Sequence, residues 1–193
     1  MHSSPFPADI TFLIVPGLRD HVEEHWQTHL QKQLQARQLR VASVPPLERD
    51  KLSRAARVQA LGDTLAAIEG KVVIVAHSAG CITTVHWAQQ HSGRIVGALL
   101  ATPADVERPM PAGYPSLEQL EQGGWCPVPR RPLPFPTIVA ASRNDALAGF
   151  ERAEQMARDW GARLVDLGEV GHLNPAAGFG SWGGAEALLH DLL

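Results

Sequence analysis

The chain has 193 residues, 45% of them hydrophobic and 19% charged, with a formal net charge of −3. That composition and length suit one globular domain over residues 1–193, large enough to bury a core. It carries no lysine or arginine block to attract nucleic acid or anionic lipid. Two cysteines, Cys81 and Cys126, are too few for a disulfide framework and fit a reducing, cytoplasmic setting. Residues 1–9 show no basic stretch followed by a long apolar run, so no secretory leader is expected. The apolar runs are strand-sized, far below the roughly 20 residues that span a bilayer.

In chain order, strands are expected at Ile10–Val15, Val41–Val44, Val72–Ala76, Ile95–Ala101, Thr137–Ala141 and Arg163–Leu167. Their centres are apolar at successive positions, as in a sheet covered on both faces. Between them run helical patterns. Val22, Trp26, Leu30 and Leu34 recur every four residues, and Val58, Leu61, Leu65 and Ile68 at spacings of three and four. A further helix is expected over Cys81–Gln90. Strand–helix alternation predicts a parallel sheet of about six strands in a three-layer α/β/α domain. Residues 103–136 break the rhythm with nine of the fifteen prolines. Only Ser116–Gln122 reads as a short helix there. A long connection after a strand end is expected to border a site.

The strand at Val72–Ala76 runs into Ala76-His77-Ser78-Ala79-Gly80 and then into a helix. This matches the G-x-S-x-G nucleophile elbow, with alanine at the first glycine position. A tight strand-to-helix turn projects the Ser78 hydroxyl, and small flanking residues avoid clashes across it. The Ala79 N–H at the helix start is placed to stabilise an oxyanion. On such an elbow the partners follow in the order Ser, acid, His. His86 and His91 belong to the helix after the elbow and His190 to the terminal helix. His172 follows the last strand in a loop and is the expected base. Asp145, just after the fifth strand, is the expected acid. Asp105, after the fourth strand, is its rival, and Asp166 lies within the sixth. The second oxyanion donor is expected in Val15-Pro16-Gly17-Leu18-Arg19, with Gly17 permitting close approach and Leu18 donating its N–H. His77, Trp125 and Asn174 are candidate pocket residues; Tyr114 also could reach substrate. Cys81 is expected to pack behind the elbow.

These residues resemble the serine hydrolases of the retinoblastoma-binding protein 9 and YdeN-like group, over nearly the whole chain after Asp9. The resemblance rests on Val15-Pro16-Gly17, Glu24-His25-Trp26-Gln27, Ala76-His77-Ser78-Ala79-Gly80, Ala141-Ser142-Arg143-Asn144-Asp145, Gly171-His172-Leu173-Asn174 and Gly178-Phe179-Gly180-Ser181-Trp182. Ala146 follows Asp145 where members often carry proline. The resemblance implies a trimmed α/β-hydrolase without a large cap, strand order 2-1-3-4-5-6, and a triad of Ser78, Asp145 and His172. It implies hydrolysis of a small ester, thioester or amide through an acyl-enzyme, needing no cofactor. The other reading is an interaction module that keeps the fold with little or no turnover.

His21-Val22-Glu23-Glu24-His25 also matches the inverted zinc-peptidase pattern H-x-x-E-H, with His29 one turn on. The Val22/Trp26/Leu30 stripe must face the core, which leaves these histidines at its margin or in solvent. No metal is therefore expected. Residues 103–136 are expected to form a rim rather than a tunnel, favouring acetate to butyrate esters.

Overall fold

The computed structural model describes residues 6–91 and 93–193. The reading of residues 1–9 as lacking a leader therefore falls partly outside the described residues. Six strands form one parallel sheet: β1 (Ile10–Val15), β2 (Arg40–Ser43), β3 (Lys71–His77), β4 (Ile95–Ala101), β5 (Thr137–Ala141) and β6 (Arg163–Asp166). Their order is β2-β1-β3-β4-β5-β6. The helices are α1 (Trp26–Ala36), α2 (Arg54–Ala66), α3 (Ala79–Ala88), α4 (Leu117–Gln122), α5 (Phe150–Asp159) and α6 (Gly184–Asp191), with a 3₁₀ turn at Pro175–Ala177.

Alternation along the strands divides the core in two. Leu13, Val15, Ile74, Leu100 and Val139 pack with Leu61, Ile82, Val85 and Met156 of α2, α3 and α5. Phe12, Ile14, Val73, Val75, Leu99 and Ile138 pack on the opposite face with Trp26, Leu30 and Leu34 of α1 and Leu189 of α6. Continuous apolar runs in β1, β3 and β4 follow from this two-sided covering. β1 lies between β2 and β3, so connections leave it and β3 in different directions and open a crevice at their C-terminal ends.

Several boundaries differ from the expected ones. The helix expected from the Val22 stripe starts only at Trp26, because His25 caps it: its Nδ1 accepts the Gln27 N–H at 3.2 Å. Val22 precedes the helix. α3 starts at Ala79, directly at the elbow. In residues 103–136, the short helix has Ser116 and Gln119 in a reciprocal capping box. Among the described residues no helix is long and apolar enough to cross a membrane.

Candidate active site

β3 delivers Ser78 to the sheet's C-terminal edge. Its backbone is at φ 57°, ψ −124°, a sparsely populated conformation costing on the order of 1–3 kcal/mol. Two contacts hold it there: the Ser78 N–H donates to Ala101 O of β4 at 3.1 Å, and Ser78 O accepts from Cys81 N at 3.0 Å. Gly80 passes so close to β1 that a Cβ would lie 2.4 Å from Val15 O and 2.6 Å from Pro16 O. Only glycine fits. Cys81 is fully buried behind the turn, and burial pushes its thiol pKa up.

The Ser78 Oγ lies 2.8 Å from His172 Nε2. His172 Nδ1 lies 2.9 and 3.0 Å from the two carboxylate oxygens of Asp145. Both side chains are buried, and Asp145 Oδ1 also accepts the Leu147 N–H at 2.8 Å. The two loops are stitched together. Gly171 N donates to Asn144 Oδ1 at 2.7 Å, Val170 N to Ser142 Oγ at 3.1 Å, and Arg143 N to Gly168 O at 2.8 Å. Reading residues singly missed Ser142 and Asn144; their signal was membership of the stretch ending at Asp145. Asp105 is buried elsewhere, 3.3 Å from Arg152 Nε and 3.7 Å from Arg108 Nε.

Beneath the imidazole sits His77. Its Nε2 is 2.9 Å from the carbonyl oxygen of His172, which can only accept, so Nε2 carries the proton. Burial holds His77 well below the usual imidazole range, and the neighbouring His172 and His25 charges add to this. His25 packs edge-on to His77 with ring centroids 4.5 Å apart. Burial, then the His172 charge, lowers its pKa to about 4. The expectation of a marginal or solvent position thus fails for His25, because capping turns its ring inward. His29 alone of the three motif histidines lies within α1. Among the described residues no group of three or more His, Cys, Asp or Glu is arranged to hold a metal ion. Gln27 anchors the start of α1, donating from Nε2 to Val15 O and Val75 O at 3.2 and 3.0 Å.

The loop after β1 forms the facing wall. A Cβ on Gly17 would lie 3.2 Å from Ser78 Cβ, and Leu18 lines the same space. Sequence reading gave Arg57 no role, yet its side chain is buried against this loop and paired with Asp20.

A cavity of about 390 Å³ opens beside Ser78, lined among others by Gly17, Leu18, His77, Ala79, His172 and Asn174. Residues 103–136 contribute Ala104, Val106, Met110, Tyr114, Leu120 and Trp125. Val106, Leu120 and Trp125 are fully buried. The segment therefore builds an inner wall, where only a rim was expected. Trp125 makes this possible by donating Nε1–H to Leu52 O at 2.7 Å, which satisfies its polar edge while the ring packs inward. Asn174 sits at the mouth and caps the 3₁₀ turn through Ala177 N.

Sheet order, elbow and cavity define an α/β-hydrolase. The serine hydrolase family matches residues 12–191, and the chain belongs to that family. A YdeN-like hydrolase from Pectobacterium atrosepticum is 31% identical, covers 95% of this chain and 90% of its own, and superposes with a TM-score of 0.77. The ydeN gene product of B. subtilis shares the fold at 19% identity, 95% and 98% coverage and TM-score 0.73. Est1E from Butyrivibrio proteoclasticus, solved with ferulic acid, does so at 13% identity, 97% and 88% coverage and TM-score 0.69. No curated protein sequence matches the chain.

Proposed function

We propose that the chain is a carboxylesterase-like enzyme that hydrolyses a small ester through an acyl-enzyme on Ser78. The observation that carries this reading is the unbroken relay from Ser78 Oγ through His172 to Asp145, with 2.8 and 2.9 Å links. Ser78 attacks the ester carbonyl while His172 Nε2 takes its proton. His172 then returns that proton to the departing alcohol, leaving an acyl-serine. Water, deprotonated by His172, attacks the acyl-serine and releases the acid and free Ser78. Asp145 keeps the Nδ1–H tautomer and stabilises the imidazolium. The N–H groups of Ala79 and Leu18 receive the oxyanion, with Gly17 allowing the approach. No step calls for a cofactor. The same path serves thioesters and amides.

The apolar cavity takes the acyl chain. Its volume sits near the lower end of the roughly 300–1,000 Å³ common for ligand sites. Its inner wall of Val106, Leu120 and Trp125 moves the expected preference from acetate–butyrate toward hexanoate. Both cysteines are free thiols, which supports a reducing, cytoplasmic setting.

A fluorophosphonate probe tests the reading. Wild type is expected to label at one serine and Ser78→Ala to lose both labelling and esterase turnover. Turnover surviving in Ser78→Ala removes Ser78 from the chemistry. A wild type that is folded yet neither labels nor turns over esters makes the chain an interaction module.

A further inference from the structure

Arg57 extends from the first turn of α2 into the turn that follows β1. Every nitrogen of its guanidinium is engaged. Nε donates to Lys51 O at 2.7 Å, Nη1 to Gly17 O at 3.3 Å and to Asp20 Oδ1 at 3.0 Å, and Nη2 to Leu18 O at 3.1 Å. The Arg57 and Asp20 side chains are 7% and 9% exposed. A buried arginine that bonds three main-chain carbonyls as well as a carboxylate fixes the main chain it touches, beyond pairing a charge.

The geometry of the peptide unit says what the clamp achieves. In a trans peptide the C=O and the following N–H point in opposite directions. With Gly17 O held against Arg57, the Leu18 N–H faces away from it. Gly17 itself lies against Ser78, at the separation given above. The turn is also closed by Asp20 N–H donating to Gly17 O at 3.0 Å, with Asp20 at φ 55°. Aspartate tolerates that left-handed conformation better than most residues, and here its carboxylate is also fixed by Arg57 Nη1 at 3.0 Å.

We propose that Arg57, locked by Asp20, is a positioning residue for the oxyanion hole: it draws the carbonyls of Gly17 and Leu18 outward and so keeps the Leu18 N–H turned toward Ser78. The inference rests on the Ser78 acyl-enzyme reading. Arg57 touches no reacting atom and acts only through the loop. Its loss therefore weakens binding of the transition state and leaves ground-state binding of the acyl chain in the cavity unchanged.

The test compares wild type, Arg57→Met, Arg57→Lys and Asp20→Asn on a p-nitrophenyl ester, with active sites counted by burst titration. Removal of a direct oxyanion donor costs about 10²–10³ in kcat. Loosening one donor is expected to cost about 10- to 100-fold for Arg57→Met, with KM within about twofold. Arg57→Lys, which keeps the charge but cannot span three carbonyls, is expected to recover part of the loss, and Asp20→Asn to lose less than Arg57→Met. A trifluoromethyl ketone, whose adduct with Ser78 carries an oxyanion, is expected to bind the variants more weakly in parallel with kcat. Inhibition by the free carboxylic acid product is expected to stay the same.

Folded Arg57→Met with wild-type kcat per titrated site overturns the proposal. So does a loss that appears equally in ketone and product binding, since that marks general collapse of the site. If Arg57→Met fails to fold, Asp20→Asn decides: wild-type kcat and ketone affinity there overturn the proposal. Failure of the underlying reading looks different, because Ser78→Ala then retains turnover whatever the Arg57 variants do.

Discussion

The two walls that meet at Ser78 are held by different means. On the β3 side the main chain does the holding: Ser78 at φ 57° and Gly80 pressed against Val15 O leave few alternatives to the turn. On the β1 side the turn is held by a side chain from a distant helix, Arg57, buried among its carbonyls. A wall made by local sterics leaves a compact sequence signature. A wall made by one long side chain arriving from elsewhere leaves almost none. The same division runs through the rest of the site. The His172–Asp145 contact and the edge-on packing of His77 against His25 are side-chain arrangements between segments far apart in sequence.

Asp145→Asn probes the side-chain-held part most severely. The amide favours the wrong imidazole tautomer, and kcat is expected to fall by about 10⁴-fold, the size known for this change in a serine protease triad. Stopped-flow and steady-state kinetics on one ester check it. A drop below tenfold shows that Asp145 does not govern His172.

Gly80→Ala attacks the main-chain-held wall. The new methyl must displace β1 from the elbow, and overpacking of this kind costs about 1–3 kcal/mol. Circular dichroism melts are expected to show Tm lowered by about 2–12 °C, with activity lost further through the displaced Ser78. An unchanged Tm and kcat mean that the turn tolerates what the 2.4 Å approach forbids.

Acid sensitivity sharpens the comparison further. In the folded protein His25 has a pKa of about 4, against an ordinary value of about 6.5 unfolded. Between those values the unfolded chain binds more protons. The stability contributed by neutral His25 is therefore complete above about pH 6.5 and is lost as pH falls toward 4. Burial lowers His77 in the same direction. Denaturant melts from pH 7.5 to 4 are expected to show this decline. His25→Asn keeps a helix cap and removes one titrating group, so its decline is expected to be shallower. Parallel curves assign the acid sensitivity elsewhere.

The smallest single step concerns the cavity wall. Each acyl CH₂ that enters an apolar pocket gains about 0.8 kcal/mol, or roughly fourfold. kcat/KM is expected to climb by up to that factor per carbon from acetate to hexanoate and then level off. A flat series keeps the acyl chain out of the space beside Trp125.

Much of this architecture was legible from residue order. The spans of β1, β4 and β5 followed directly from apolar runs bounded by polar or turn residues. The elbow was legible because its constraint lies within five residues, and Asp145 and His172 because strand ends predict where loops converge. Arg57 was not legible: within α2 it reads as one more arginine near a helix start. His25 misled because a four-residue spacing resembles a helical face, whereas the capping bond to Gln27 N places it outside the helix. Trp125 and its neighbours were read as rim because proline excludes a long helix but says nothing about which way the intervening side chains turn. Their inward packing depends on a hydrogen bond to Leu52, far away in sequence.

The position of β1 in the sheet bears on how the chain is made. β1 consists of ITFLIV and is buried along its whole length, with β2 on one edge and β3 on the other. During synthesis β2 emerges early, whereas the partner for the other edge arrives only with Lys71–His77. Until then a strand of five apolar residues and Thr11, most of them β-favouring, presents an open row of N–H and C=O groups, the kind of edge that recruits other chains. Nascent chains that end before β3 therefore carry an unpaired apolar edge, the feature that makes incomplete chains prone to aggregate.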